Sequence, residues 1–173
     1  MLTNPDELRR RAQEHSAEDL EFRRHVRDHH ISDHPLRERV AELLGGIDCR
    51  ECANCCRETR VPINEAEIRA IAAELKMTPW EARRLYTETG EEAGEILIKQ
   101  ASDQCVFLDS GQCLVYGARP EPCRQFPAIT LHADVLGNRM SSVCRQASIC
   151  PVVYEALEEF KHTTGFHPRK RHA

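Results

Sequence analysis

The chain has 173 residues and a net charge of −4, with 24 Lys and Arg against 28 Asp and Glu. That balance speaks against a dedicated nucleic-acid binder. The strongly charged first thirty residues offer neither a secretory signal nor a membrane span, so the expectation is a cytoplasmic protein that does not bind membranes. Nine cysteines inflate the hydrophobic fraction of 40%, so the aliphatic core is thinner than it looks and needs another form of cross-link. In a reducing compartment dense cysteine reads as metal or redox chemistry, and an odd number cannot pair completely within one chain.

In chain order, Asn4, Pro5 and Glu7 read as an N-cap, a first-turn proline and a capping-box partner. Ser16 and Asp19 start a second helix or lie within a continuous one, with Leu20, Phe22 and Val26 as a ragged apolar stripe. Residues 35–44 read as a short helix ended by Gly45 and Gly46. Residues 49–62 read as a cysteine-rich loop. Asn64 and Glu67 predict a capping box before a helix with Ile68, Ile71, Ala72 and Leu75 on one face. Thr78, Pro79 and Glu81 open a further helix to about Thr87, with Trp80, Arg84 and Leu85 in mutual reach.

Residues 90–104 are ambiguous apart from the apolar run Ile96–Ile98. Cys105 to Tyr116 reads as a hairpin turning at Asp109–Gln112, with Cys105 and Cys113 on opposite arms. Pro120, Pro122 and Pro127 exclude a regular helix or central strand over 117–127. Ile129–Val135 reads as a short strand and Pro151–His162 as a helix, followed by a basic tail. The expected fold is mainly α with a small β-hairpin, an irregular cysteine-rich domain organised around metal. Its expected parts are an N-terminal helical extension (1–45), a cysteine-cluster domain (46–150), and a C-terminal helix with its tail (151–173).

Cys49-x-x-Cys52-x-x-Cys55-Cys56 is the strongest chemical signal. Two intervening residues let a tight loop aim successive thiolates at one point, and soft thiolates select zinc, copper(I) or iron–sulfur clusters. Three thiolates at two successive spacings of this kind match the run that grips three corners of a cubane cluster in bacterial ferredoxins. The doublet Cys55-Cys56 points in two directions and can serve two centres. Downstream, Cys105, Cys113, the proline-bracketed Cys123, Cys144 and Cys150 are further donors.

The motif, with Cys105-Val-Phe-Leu, Gly111-Gln-Cys113-Leu-Val-Tyr116 and Arg119-Pro-Glu-Pro-Cys123-Arg124-Gln-Phe-Pro127, resembles the YkgJ-type cysteine-cluster family of zinc- or iron-chelating domains. The resemblance covers roughly residues 49–145. It implies a set of eight cysteines: Cys49, Cys52, Cys55, Cys56, Cys105, Cys113, Cys123 and Cys144. Cys150 falls outside that set. A related cysteine arrangement occurs in flagellin lysine methylases, whose chains are much longer, so their activity is not carried over.

Of the other residues, His25 and His29 stand one helical turn apart, with His30 and His34 close in sequence. A solvated polar face accounts for them more readily than a metal site. Arg119 and Arg124 flank Cys123 and suit either a negatively charged thiolate–metal centre, an anionic substrate or ordinary surface pairing. Three functional readings follow. One is an iron–sulfur module, 4Fe-4S by its spacing, for redox, cluster-carriage or sensing work with a protein redox partner. The second is a zinc-binding structural or adaptor protein. The third is an enzyme using an iron centre.

Overall fold

The computed structural model describes residues 2–130 and 136–168. In chain order the helices α1 (Pro5–Glu14), α2 (Ser16–Asp28) and α3 (His34–Leu44) precede two helical turns, α4 (Cys49–Cys52) and α5 (Asn54–Glu58). Helices α6 (Glu65–Glu74) and α7 (Pro79–Tyr86) lead into three short antiparallel hairpins. These are β1 (Thr87–Thr89) with β2 (Ile96–Ile98), β3 (Gln100–Ala101) with β4 (Gln104–Cys105), and β5 (Leu108–Asp109) with β6 (Gln112–Cys113). One further turn, α8 (Glu121–Arg124), and a 3-10 turn (Ala128–Thr130) come before α9 (Leu136–Ala147) and α10 (Pro151–Thr163). The fold is mainly helical with small hairpins, as the sequence predicts. No described helix is long and apolar enough to cross a membrane.

The chain forms two compact units. A helical unit is made of residues 1–47 and 127–173, and a cysteine unit of residues 48–126. Residues 127–150, expected on sequence grounds to end the cysteine-cluster domain, pack mainly with residues 1–47. The predicted strand Ile129–Val135 begins instead inside the 3-10 turn, and residues 131–135 lie outside the described ones. The basic tail residues Arg169–Arg171 lie outside them as well.

The helical unit assembles around aromatic side chains. Phe22 of α2 is fully buried and meets Phe160 of α10 and Phe166 edge-on, at ring separations of 5.9 and 5.1 Å. Leu8, Val26, Leu36, Val40, Met140, Val153 and Leu157 complete the core. Asn4 caps α1 by accepting from the Glu7 amide at 2.9 Å, while the Glu7 carboxylate turns to Arg10 and Arg11 instead of closing a capping box. His15 interrupts the run, and α2 starts afresh at Ser16 without a side-chain cap.

The cysteine unit has its own core of Val61, Ile63, Ile68, Ile71, Ala72, Ala82, Ile98, Phe107 and Val115. Both predicted capping boxes form. Asn64 accepts from Glu67 at 3.0 Å while Glu67 accepts from the Asn64 amide at 2.9 Å, and Thr78 and Glu81 do the same for α7. The ambiguous stretch resolves because Ile96–Ile98 pairs with Thr87–Thr89 on one side. On the other, Ile63 and Ile98 donate to Ile96 and Val61, each at 2.9 Å.

A buried ion cluster joins α2 to α10 in the helical unit. The Lys161 ammonium, 2% exposed, lies 2.6 Å from both Asp19 and Glu158 and 3.0 Å from Glu18. Burial by itself would lower Lys161, but its hydrogen bonds and attraction to Asp19 and Glu158 outweigh this and hold it above its ordinary 10.5. Asp19 is raised, chiefly by burial against the pull of Lys161 and further by the crowding of Glu158 and Glu18. Lys161→Met strands these carboxylates, and a loss of about 3–5 kcal/mol is expected in urea unfolding. The folded state holds the Lys161 proton more tightly than the unfolded chain. Its contribution is therefore complete below pH 10.5 and fades as pH rises beyond it, so the gap between wild type and variant narrows there. A gap that is constant across this range would contradict the assignment.

Candidate metal centre

The cysteine-rich segment folds as two helical turns rather than the open loop expected from sequence. Asp48 caps the first turn by accepting from the Arg50 amide at 2.8 Å and also binds the Arg50 guanidinium at 2.7 Å. Those hydrogen bonds, side chain first and backbone second, hold the Asp48 carboxyl down at about 2. The turn ends at Ala53, which adopts a left-handed conformation (φ 49°, ψ 13°) while only 3% exposed. A left-handed non-glycine residue costs about 1–2 kcal/mol. Here it reverses the chain, so that Cys49 and Cys52 lie on one turn and Cys55 and Cys56 on the next. Arg57 donates to the Cys52 carbonyl at 3.0 Å and ties the second turn back to the first.

The downstream donors arrive on separate supports. Cys105 ends β4, opposite Gln100, and Cys113 ends β6, opposite Leu108. They thus occupy consecutive hairpins and not the two arms of one, which corrects the sequence expectation. The turn between β5 and β6 does fall at Ser110 and Gly111, both with positive φ (48° and 82°), as the right-handed twist of a two-residue hairpin requires. The preceding turn uses Ser102 and Asp103 in the same manner (51° and 62°). Cys123 sits on α8, a single helical turn that Pro120 and Pro122 permit because both stand at its beginning. The Glu121 amide of that turn donates to Glu67 of α6 at 2.7 Å, which anchors Cys123 to the capping box. Cys105, Cys113 and Cys123 all pack against the core of the unit.

Seven thiols of the cysteine unit meet around Cys56. Its electrostatic neighbours include Cys49, Cys55, Cys105, Cys113 and Cys123, and Cys49 in turn faces Cys52. The adjacent pair divides its roles. Cys55 is pushed far up by its hydrogen bond with Cys56 and by burial, so it keeps its proton and donates. Cys56 is lowered to about 7, first by that hydrogen bond and then, against burial, by Arg57 and Arg119. Burial raises Cys49 and Cys113, and it pushes Cys105 up to about 11 and Cys123 to about 12. These raised values describe neutral thiols. A bound cation reverses that preference, because it requires and stabilises thiolates.

Among the described residues, no three cysteine sulfurs lie mutually within 4.8 Å. Four sulfurs around one tetrahedral zinc, each at about 2.3 Å, would lie roughly 3.8 Å apart. The one tight group of potential ligands among the described residues is His15, Glu18 and Glu158, absent from the sequence reading because its members are far apart in the chain. Lys161 already supplies a cation there, within 3.0 Å of both carboxylates.

The remaining candidates lie in the helical unit. Cys144 stands on α9, where burial pushes it up to about 12 and the charges facing it are Asp19, Lys161 and Arg23. Cys150 is buried at the start of α10. The His25 and His29 rings lie 4.4 Å apart and tilted by 36°; a His25 ring nitrogen lies 3.3 Å from the Thr164 carbonyl, and one of His29 lies 2.9 Å from the His25 carbonyl. His34 pairs with Glu38 at 3.1 Å. His30 follows the end of α2 with φ 50°.

The left-handed residue gives a direct test of how the centre is built. Ala53→Gly relaxes the backbone and is expected to keep the full metal content. Ala53→Val forces a β-branched side chain into a buried left-handed position, and metal analysis should show a sharp loss. A fully loaded valine variant would show that this turn does not set the thiol geometry.

The model of the CxxCxxCC family, described as “Putative zinc- or iron-chelating domain”, matches residues 48–151, more than half of the chain. No solved structure matches the chain.

Proposed function

The chain belongs to the CxxCxxCC family of zinc- or iron-chelating domains, and from that premise we propose that its metal is iron, held as an iron–sulfur cluster of the 4Fe-4S type. The observation that carries this reading is the seven thiols gathered around Cys56, more than one four-coordinate zinc ion can use. The Cys49–Cys52–Cys55 run supplies donors at the spacing of a cubane-binding segment. When bound, the cluster would supply one-electron chemistry for redox, cluster-carriage or sensing work, with a protein as the redox partner. The residues do the rest. Cys49, Cys52 and one of Cys55 and Cys56 hold it from the helical turns, and a fourth ligand comes from Cys105, Cys113 or Cys123. The thiols not used remain for a second metal, and four-thiolate zinc sites on the same residues are the competing reading.

Anaerobic purification followed by metal and acid-labile sulfide analysis tests the identity of the metal. Brown protein with iron and sulfide in equal amounts is the expected result. Colourless protein with zinc alone would overturn the iron–sulfur reading.

Single serine replacements test the ligand set. Cys52→Ser and Cys56→Ser should each lose most of the metal, whereas Cys150→Ser should keep it. Cys144 completes the family pattern of eight, and Cys144→Ser tests its place in it. Metal loss in Cys144→Ser equal to that in Cys56→Ser would bring Cys144 into the ligand set.

Chelation tests whether the metal also holds the fold. Three cysteine-bearing supports converge on a small core, so binding energy becomes folding energy for this unit. Thermal unfolding should therefore show a lower midpoint after metal removal. Equal midpoints with and without chelator would contradict a structural role.

A further inference from the structure

We infer that Arg119, seated on the ring of Tyr116, is the positioning residue that balances the charge of the thiolate centre and so sets its metal retention and its reduction potential. The inference rests on the cysteine-cluster reading of the preceding section. Four thiolates on a zinc ion or on an oxidised cubane leave a net negative charge, which a protein interior tolerates only when a cation is fixed nearby.

The geometry of Arg119 fits that role. Its guanidinium carbon lies 3.7 Å from the centre of the Tyr116 ring. Its Nε donates to the Tyr116 carbonyl at 3.2 Å. The Arg124 guanidinium donates to the Arg119 carbonyl and fixes the backbone from the other side. A guanidinium held in this way has little freedom left to lose when a charge forms beside it.

Its charge has no other assignment. Arg10, Arg39, Arg50 and Arg83 are each paired with carboxylates. Among the described residues Arg119 pairs with none, and the groups its charge reaches are Cys49, Cys56, Cys113 and Cys123. These donors come from the first helical turn, the second turn, the β5–β6 hairpin and α8, so one cation serves ligands from four of the five supports of the site. Arg57 is the other cation that acts on Cys56. It is already engaged with the Cys52 carbonyl. Arg84, which lies over Trp80 at 5.3 Å, is a cation–π pair of the same kind that has no thiol among its partners, and it serves as the control.

The test uses the full-length, metal-loaded protein in four forms: wild type, Arg119→Gln, Arg119→Lys and Arg84→Gln. Metal release to excess EDTA is followed for each, together with the melting temperature, and redox titration gives the potential of any coloured centre. Arg119→Gln should release metal about tenfold faster or more, in line with the loss of a residue that supports metal ligands. Its potential should fall, because removing a positive charge makes an added electron less welcome. Arg119→Lys should restore most of both properties, and Arg84→Gln should match wild type. Wild-type release and potential in Arg119→Gln would overturn the inference. So would an equal defect in Arg119→Lys and Arg119→Gln, which would indicate lost packing on Tyr116 and not lost charge. A colourless zinc protein would defeat the iron–sulfur reading alone, and the EDTA comparison would still decide the role of Arg119.

Discussion

Seven thiols share one small unit, and not all of them can carry charge there unless a cation is present. That constraint shapes the whole region from Asp48 to Phe126. Cys55 and Cys56 show it most clearly: two adjacent thiols divide a single proton, the first keeping it and the second leaning towards thiolate. The other buried thiols are pushed towards the neutral form. A soft metal removes the conflict at once, because every donor that loses its proton gains a bond. The unit is thus built so that its most crowded point is also the point at which metal is most useful.

The scaffold works to keep that crowding from relaxing. Cys105, Cys113 and Cys123 lie on the aliphatic core, and the α6 capping box holds the α8 turn through the Glu67 carboxylate. The Cys49–Cys56 segment is folded back by one strained residue, Ala53, and tied by Arg57 to the Cys52 carbonyl. Local strain of this kind persists only where the surroundings over-determine it. Packing, capping and backbone conformation all act here on the same few sulfur positions.

Much of this was legible in the sequence because its signals are local. The capping boxes at Asn64/Glu67 and Thr78/Glu81 are complete within four residues, Pro151 marks the first turn of α10, and the cysteine spacing names the chemistry directly. What was missed depends on tertiary context. Nothing in an alanine announces a left-handed turn, so 49–62 read as a loop. The turn at Ser102-Asp103 carries no glycine, which hid a hairpin and led Cys105 to be placed on the wrong one. The prolines of 117–127 read as helix breakers, although at the start of a single turn they are harmless. Arg57 gave no sign of its role, because a cation is recognised as a counter-charge only once the thiol it acts on is known.

The division of the chain into units also bears on how the protein is made. The cysteine unit is continuous in sequence, whereas the helical unit needs α2 from one end of the chain and α9 and α10 from the other. On a ribosome, residues 48–126 are therefore all available before the helices that complete the Phe22 core have been synthesised. Contacts between partners as distant as Phe22 and Phe160 carry a high loop-closure cost and form late. The cysteine unit can thus take shape, with its donors already gathered, before the helical one closes.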